Sequence, residues 1–166
     1  MPEVPKPVSC ARQARCRRGF HAHDGTSISL ARLAGIKTGL VTKRISETVA
    51  LRARDLALEF VRQGIQDKAT AFTELIKEAG VHAEEAAFVG DDIIDPPAMR
   101  AAGLSIAVQN SCEEIKKEAH YITPHAGGDG TLRDAMEFIL KAQESGRKSW
   151  KPTSASAALR KSCIEP

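Results

Sequence analysis

Three aspartates are crowded together after one apolar run of the sequence. The run 86–89 is followed by Gly-Asp-Asp, so that Asp91, Asp92 and Asp95 share one short segment, FVGDDIIDPP. Carboxylates this close repel one another unless a cation lies among them. Oxygen ligands of this kind suit Mg²⁺, which takes one or two carboxylates together with waters and substrate phosphate. The segment therefore predicts a metal site; the alternative is that Asp92 or Asp95 caps the next helix while the other carboxylates are solvated.

Two further segments carry groups that can bind phosphate. In LVTKR, the Thr42 hydroxyl and the basic side chains of Lys43 and Arg44 follow an apolar stretch, and Lys68 lies just inside the helix after QGIQD. Taken alone, each segment is better explained by solvated side chains. Combined with the carboxylates, they form the set that Mg²⁺-assisted phosphoryl transfer requires. In such a site the hydroxyl and the lysine donate to phosphate oxygens, and the metal neutralises the remaining charge.

An alternation of strands and helices must position these groups. Apolar periodicity predicts strands over 36–42, 60–61, 86–89, 104–108 and 121–123, and helices over 25–33, 46–58, 67–79, 97–102, 113–119 and 131–143. Such alternation argues for an α/β fold with a parallel sheet and right-handed crossovers. Ligands of these sheets bind beyond the carboxyl ends of the strands. The segments 42–44 and 90–92 are therefore expected at the same rim.

Four segments, in order, resemble one family of enzymes. They are FHAHDGTSISLARLAGIKTGLVTKR, QGIQDKATAFTEL, VGDDIIDPPAMRAAGLSIAV and AGGDGTLRDAMEFILKAQ. They resemble blocks of the haloacid dehalogenase superfamily and, within it, of the capless, tetrameric 3-deoxy-D-manno-octulosonate 8-phosphate phosphatases. The resemblance runs from Phe20 to about Gln143. It implies a three-layer, Rossmann-like parallel α/β fold without a cap. It also implies Mg²⁺-dependent hydrolysis of a phosphorylated sugar acid, in lipopolysaccharide biosynthesis.

The resemblance also implies a role for individual residues. Thr42 would be the phosphate-binding hydroxyl, and Lys68 the lysine that binds phosphate and balances charge. Asp91 would coordinate Mg²⁺, with Asp92 and Asp95 in support. The other positions that match the substrate mouth of the family are Arg44, Arg52, Gly127 and Gly128.

The sequence departs from the family pattern in its first motif. The family has a buried strand that ends in D-x-D-G-x-x-T, whose first aspartate attacks phosphorus and whose second acts as general acid and base. Residues 1–19 contain no aspartate, and Glu3 is their only acid. No catalytic residue is therefore assigned, and we expect hydrolysis to be impaired. Lys43 replaces the glycine of T-G-R, and Asp129 replaces the arginine of G-G-R-G.

Three interpretations of this departure stay open. The chain is an impaired phosphatase, a non-catalytic module that binds phosphate or supports oligomerisation, or a truncated gene product. The expected organisation is an irregular basic arm over 1–19, a phosphatase-like domain over 20–143 and a disordered basic tail over 144–166. The resemblance implies a homotetramer.

Composition limits the remaining classes of function. The chain has 166 residues, 42% of them hydrophobic and 27% charged, which suits one globular domain. No apolar run approaches the roughly 18 residues of a membrane span, so no membrane partner is expected. The net charge of +3 comes from the two ends, which we interpret as solvated, so no nucleic-acid partner is expected either. The four cysteines form no C-x-x-C pair, which favours reduced thiols and a cytoplasmic protein.

Two other groups of residues give weaker signals. His21 and His23, followed by Asp24, would suit a metal site or an HD-type hydrolase only with further partners, and no partner has motif spacing. Cys112 precedes a helix, where the pKa of a thiol can fall, but it is better explained as a plain helix-start residue.

Overall fold

The computed structural model describes residues 22–143. The predicted basic arm over 1–19 and the predicted tail over 144–166 lie outside the described residues. In chain order the elements are α1 (Ala22–Leu33), β1 (Gly39–Val41), α2 (Glu47–Asp55), β2 (Phe60–Arg62), α3 (Lys68–Ala79), a 3₁₀ turn (Ala83–Glu85), β3 (Ala87–Gly90), α4 (Pro96–Ala101), β4 (Leu104–Ala107), α5 (Glu113–Glu118), β5 (Tyr121–Ile122) and α6 (Thr131–Ala142). The expected alternation of strands and helices is confirmed.

The strands are parallel, as predicted, and form two groups. β1 pairs with β2, with Leu40 opposite Val61. β3, β4 and β5 form a second sheet in that order, with Val89 opposite Ile106 and Ile106 opposite Tyr121. The expected α/β fold with parallel pairing is therefore observed, with the pairing divided between two sheets within residues 22–143.

Helices cover both faces of the larger sheet. Ile106 and Ala107 are neighbours on β4, so their side chains point to opposite faces, and both are completely buried. Ala107 belongs to an apolar cluster with Phe72 of α3, Met99 of α4 and Ile115 of α5. On the other face, Tyr121 stacks on Phe138 of α6 with ring centroids 4.1 Å apart. This arrangement is the predicted three-layer architecture.

The first and last helices pack together beside the sheet. Ala31 of α1 shares an apolar cluster with Met136 and Leu140 of α6. At the start of the pair, Asp24 accepts a hydrogen bond from the backbone N–H of Leu132 at 3.0 Å. The carboxylate thus satisfies one of the free N–H groups of the first turn of α6. This bond and the apolar cluster together fix α6 against α1.

Three elements have a bound that differs by three residues from the predicted one, and the bounds of the other elements differ by at most one residue. α1 already begins at Ala22, and the strand predicted over 36–42 is limited to β1. α2 ends at Asp55, whereas the apolar pattern extended it to 58, because Ala57 adopts a positive φ of 52° that a helix cannot continue through. None of the helices in residues 22–143 is both long and apolar enough to cross a membrane.

Candidate functional site

One helix, α3, contacts strands of both sheets. This helix contacts β1, and its Phe72 packs edge to face on Phe88 of β3, with ring centroids 5.5 Å apart. Thr42 directly follows β1, and Asp91 directly follows β3. Each predicted segment therefore follows the carboxyl end of a parallel strand; that the two segments share one rim stays a prediction.

Lys68 is held at the first position of α3 by the residue before it. Asp67 is the N-cap of α3 and accepts hydrogen bonds from the backbone N–H groups of Ala69 and Thr70 at 3.0 and 3.1 Å. The Lys68 ammonium forms an ion pair with Asp95 Oδ1. The Lys68 side chain is only 11% exposed and that of Asp95 1%, so the pair is largely removed from water.

Asp95 also organises the acidic loop through its second oxygen. Oδ2 accepts the backbone N–H of Asp91 at 2.9 Å and that of Asp92 at 3.0 Å. The loop is packed tightly at its start, because a methyl group on Gly90 would lie 2.7 Å from Met99 Sδ and 2.9 Å from Asp95 Cβ. A glycine is thus required where β3 delivers the loop. Asp95 is therefore the residue that ties Lys68 to the backbone of the acidic segment.

Asp91 and Asp92 differ from the buried Asp95 in their exposure to solvent. Asp91 and Asp92 are both exposed. Partial desolvation, followed by the negative charge of Asp95, raises the pKa of Asp91, and the charge of Lys68 opposes this shift. Asp91 therefore offers a carboxylate that a bound cation would stabilise in its ionised form.

The carboxylates of the acidic loop suit a metal site in which waters and phosphate supply the remaining ligands. Among residues 22–143, no three His, Cys, Asp or Glu side chains form a group that could hold a metal by themselves. Both Asp95 oxygens are already engaged, which suits support rather than coordination. Mg²⁺ needs only one or two carboxylates when waters and phosphate complete its shell. Asp91 and Asp92 fit that requirement; the assignment of all three aspartates to the metal stays a prediction.

Thr42 is fixed at the end of β1 by its backbone. Its N–H donates to the Arg62 carbonyl at 2.9 Å, and its own carbonyl accepts the N–H of Ile65 at 3.1 Å. The Thr42 hydroxyl oxygen accepts the N–H of Arg44 at 3.2 Å, which leaves the hydroxyl proton available to a ligand. The Lys43 and Arg44 side chains are exposed beside it.

The other predicted substrate residues lie on neighbouring elements. The Arg52 guanidinium on α2 lies against Gly25 of α1, where an added methyl group would come within 3.0 Å of it. The Gly127 N–H donates to Asn110 Oδ1 at 2.8 Å, and Gly128 has a φ of 85°. The bond to Asn110 holds the loop of Gly127 and Gly128 to the segment after β4. Their predicted contact with substrate stays a prediction.

Sequence reasoning missed one ion pair in the same loop. His125 donates its backbone N–H to Asp134 Oδ2 at 3.0 Å, and its ring Nδ1 lies 2.8 Å from the same oxygen. The hydrogen bond to Asp134, followed by the charge of Asp134, raises the pKa of His125. No motif spacing marks His125. The one sequence signal for this pair is Asp134, which lies in the first turn of α6, where acidic residues are favoured.

Comparison with known proteins places this chain in a family. Residues 34–133 match the haloacid dehalogenase-like hydrolase family. The 3-deoxy-D-manno-octulosonate 8-phosphate phosphatase KdsC of Haemophilus influenzae is 35% identical over 126 residues, which cover 76% of this chain and 70% of that protein. The chain belongs to this phosphatase family of the haloacid dehalogenase superfamily.

Solved structures of KdsC phosphatases share the fold described above. The cobalt-bound form of the H. influenzae enzyme superposes with a TM-score of 0.77 at 34% identity, covering 84% of this chain and 81% of that one. The Moraxella catarrhalis enzyme, in complex with magnesium ion, phosphate ion and KDO, gives a TM-score of 0.72 at 38% identity, covering 75% and 71%. The resemblance found in the sequence is thus confirmed at the level of the KdsC family.

Proposed function

We propose that residues 20–143 bind Mg²⁺ and the phosphate group of a phosphorylated sugar acid, as a KdsC-type phosphatase with impaired hydrolysis. The observation that carries this proposal is the buried Lys68–Asp95 pair, which holds the Lys68 ammonium beside the acidic loop. The Thr42 hydroxyl, at the end of β1, is proposed to reach the same phosphate. The Lys68 ammonium and the Thr42 hydroxyl would supply hydrogen-bond donors for phosphate oxygens. The sugar acid comes from the family relationship, since the relatives are named for a sugar-acid phosphate.

Each residue has a separate task in this proposal. Asp91 and Asp92 would hold the Mg²⁺, which supplies neutralisation of phosphate charge when bound. Lys68 donates to a phosphate oxygen, and Asp95 fixes its ammonium in position. The Thr42 hydroxyl donates its free proton to another phosphate oxygen. Arg44, Arg52 and the loop of Gly127 and Gly128 would contact the sugar acid.

Impaired hydrolysis is proposed on the absence of an attacking carboxylate from residues 1–19. The purified full chain should show no turnover of 3-deoxy-D-manno-octulosonate 8-phosphate with Mg²⁺ in a phosphate-release assay. Phosphate release that is proportional to the chain concentration would contradict the proposed impairment. It would leave the binding proposal standing.

Calorimetry with inorganic phosphate and Mg²⁺ tests the binding proposal. Lys68→Met should weaken phosphate binding by about tenfold or more, because it removes a charge-assisted hydrogen bond. Lys77→Met, in the last turn of the same helix and exposed, is the matched control and should leave binding unchanged. Equal affinity of the two variants would contradict the assignment of Lys68.

A second candidate is a non-catalytic module that oligomerises, favoured by the same absence of aspartate in residues 1–19. The family relationship supports a homotetramer in the cytoplasm. Light scattering of the full chain should then give about four times the 17.9 kDa of one chain. A mass of one chain at all concentrations would contradict the assembly.

A further inference from the structure

One residue of the loop after β5, His125, is exposed and yet held in place by its neighbours. Its backbone N–H donates to Asp134 Oδ2 at 3.0 Å, and its ring Nδ1 lies 2.8 Å from the same oxygen. Its carbonyl accepts the N–H of Gln109 at 3.4 Å and the hydroxyl of Thr123 at 2.8 Å. The His125 side chain nevertheless keeps 57% exposure. The loop therefore presents the imidazole to solvent in one orientation.

The outer nitrogen of this ring is available to a ligand. Among residues 22–143, the ring forms its hydrogen bond through Nδ1, and Nε2 has no partner. The hydrogen bond to Asp134, followed by the charge of Asp134, raises the pKa of His125; desolvation opposes the shift, and the charge of Asp129 in the same loop adds to it. The segment 108–111, which contacts His125 from the end of β4, carries no charged side chain. In the charged ring both nitrogens are donors, so Nε2–H offers one charge-assisted hydrogen bond to an anion.

His125 and the acidic loop lie at the same edge of the larger sheet. β3, β4 and β5 are parallel, and their last residues, Gly90, Ala107 and Ile122, lie opposite one another. Asp91 directly follows Gly90, and the loop of His125 directly follows Ile122. Because neighbouring strands are about 4.8 Å apart, the carboxyl ends of β3 and β5 are about 10 Å apart. His125 thus belongs to the edge of the sheet that also delivers the acidic loop.

The segment after β4 joins the two loops directly. The N–H of Val108 donates to the Gly90 carbonyl at 3.2 Å, and the N–H of the next residue, Gln109, donates to the His125 carbonyl at 3.4 Å. Since consecutive residues are about 3.8 Å apart, these two carbonyl oxygens are separated by about 10 Å at most. Within the described residues, His125 takes no part in the contacts that hold Lys68. It would therefore meet a different part of a ligand from the part that Lys68 meets.

We propose that the charged imidazole of His125 binds the carboxylate of the sugar acid, and that Asp134 is the positioning residue that orients the ring. This assignment rests on the proposed function, in which Lys68 and Thr42 take the phosphate. A phosphorylated sugar acid such as 3-deoxy-D-manno-octulosonate 8-phosphate carries its carboxylate and its phosphate at opposite ends of the carbon chain. Nε2–H donates to a carboxylate oxygen, while Nδ1–H remains on Asp134. His125 therefore favours sugar acids over neutral sugars at this site.

NMR titration of the full chain with 3-deoxy-D-manno-octulosonate, in the absence of phosphate and Mg²⁺, tests the assignment directly. A ligand that prefers the charged ring must raise the pKa of that ring, by linkage. At saturation the pKa of His125 should rise by an amount that corresponds to about tenfold tighter binding to the charged form. The methyl ester of the same sugar acid keeps the hydroxyl groups but lacks the charge, and it should leave the pKa of His125 unchanged. His82 is exposed and precedes β3, at the opposite edge of the sheet, so its pKa should respond to neither compound.

An unchanged pKa of His125 at the highest sugar-acid concentration, or equal changes with the acid and the ester, would overturn the proposal. An equal response of His82 would overturn it as well, since binding would then be nonspecific. The carboxyl group of the ligand stays ionised across the titration of a histidine, because ordinary carboxyl pKa values lie at about 4. Because phosphate and Mg²⁺ play no part in the measurement, failure here is distinguishable from failure of the proposed function.

Calorimetry of a histidine variant measures the same contact in the phosphorylated ligand. At pH values below the folded-state pKa of His125, His125→Gln should bind 3-deoxy-D-manno-octulosonate 8-phosphate with Mg²⁺ about tenfold more weakly than the wild type, because it loses a charge-assisted hydrogen bond. The difference should vanish as pH rises through that pKa. Inorganic phosphate should bind the variant and the wild type equally at each pH, and His82→Gln, the matched control, should resemble the wild type with both ligands. Equal affinity of His125→Gln and the wild type for the sugar acid phosphate, or an equal loss of affinity for inorganic phosphate, would overturn the assignment.

The pH profile of Asp134→Asn tests the positioning role. Without the charge of Asp134 the pKa of His125 falls, so binding of 3-deoxy-D-manno-octulosonate should be lost at a lower pH than in the wild type. A role of Asp134 in stability alone would leave this pH unchanged, and that result would contradict the positioning role. The NMR titration of the unaltered chain does not depend on the folding of any variant.

Discussion

The substitution Asp95→Asn removes the charge that balances Lys68 while keeping the size of the side chain. The asparagine oxygen can still accept a backbone N–H of the loop, but its NH₂ group then faces the Lys68 ammonium. Removing one partner of a buried ion pair costs about 3–5 kcal/mol. Because the Lys68 side chain keeps 11% exposure, we expect the lower end, about 3 kcal/mol. For a domain of this size, that loss lowers the melting temperature by roughly 10 °C.

Chemical denaturation of the wild type, Asp95→Asn, Lys68→Met and the double variant measures this cost. The double variant should be more stable than the sum of the single losses predicts, by about 2 kcal/mol, since it removes both charges together. Asp92→Asn is the control: its carboxylate is exposed, and its effect should stay within about 0.5 kcal/mol. A loss below about 1 kcal/mol for Asp95→Asn, or strict additivity, would refute the reasoning.

Three further changes test other parts of the structure. Gly90→Ala should destabilise the protein by about 1–3 kcal/mol in urea denaturation, because the new methyl group collides with Met99 and Asp95. Gly127→Ala is the control and should have little effect on stability, because its methyl group would meet nothing closer than 3.5 Å. At pH values above the unfolded-state pKa of the Asp67 carboxyl, Asp67→Ala should lower the melting temperature, because hydrogen bonds from Thr70 lower the pKa of Asp67 in the folded state. The difference in melting temperature between variant and wild type should vanish as pH falls through that folded-state pKa. Asp67→Asn should retain the cap. NMR titration should give His125 a pKa above its ordinary value, and Asp134→Asn should lower the pKa of His125. The stability that the His125–Asp134 pair contributes is fully present below the unfolded-state pKa of His125 and is lost as pH rises through its folded-state pKa. An unchanged His125 pKa in the variant would contradict the contact.

The alternation of apolar segments and turn residues was sufficient to predict the parallel α/β fold and the order of its elements. Local signals also located the strand ends, because Thr42 and Gly90-Asp91-Asp92 each follow an apolar run. Four ordered motifs were sufficient to predict the family. These predictions succeed because a strand end and a family motif are both encoded by residues adjacent in the chain.

The partner of Lys68 was decided only by tertiary structure. Asp95 lies 27 positions further along the chain, and its two oxygens are distributed between the ammonium and the backbone of its own loop. No local pattern tells which of three neighbouring aspartates turns inward, since that depends on the burial created when α3 packs against β3. The pairing of His125 with Asp134 was likewise decided by the packing of the loop on α6. The sequence determined which groups are available, and the packing of distant elements decided which of them neutralise one another.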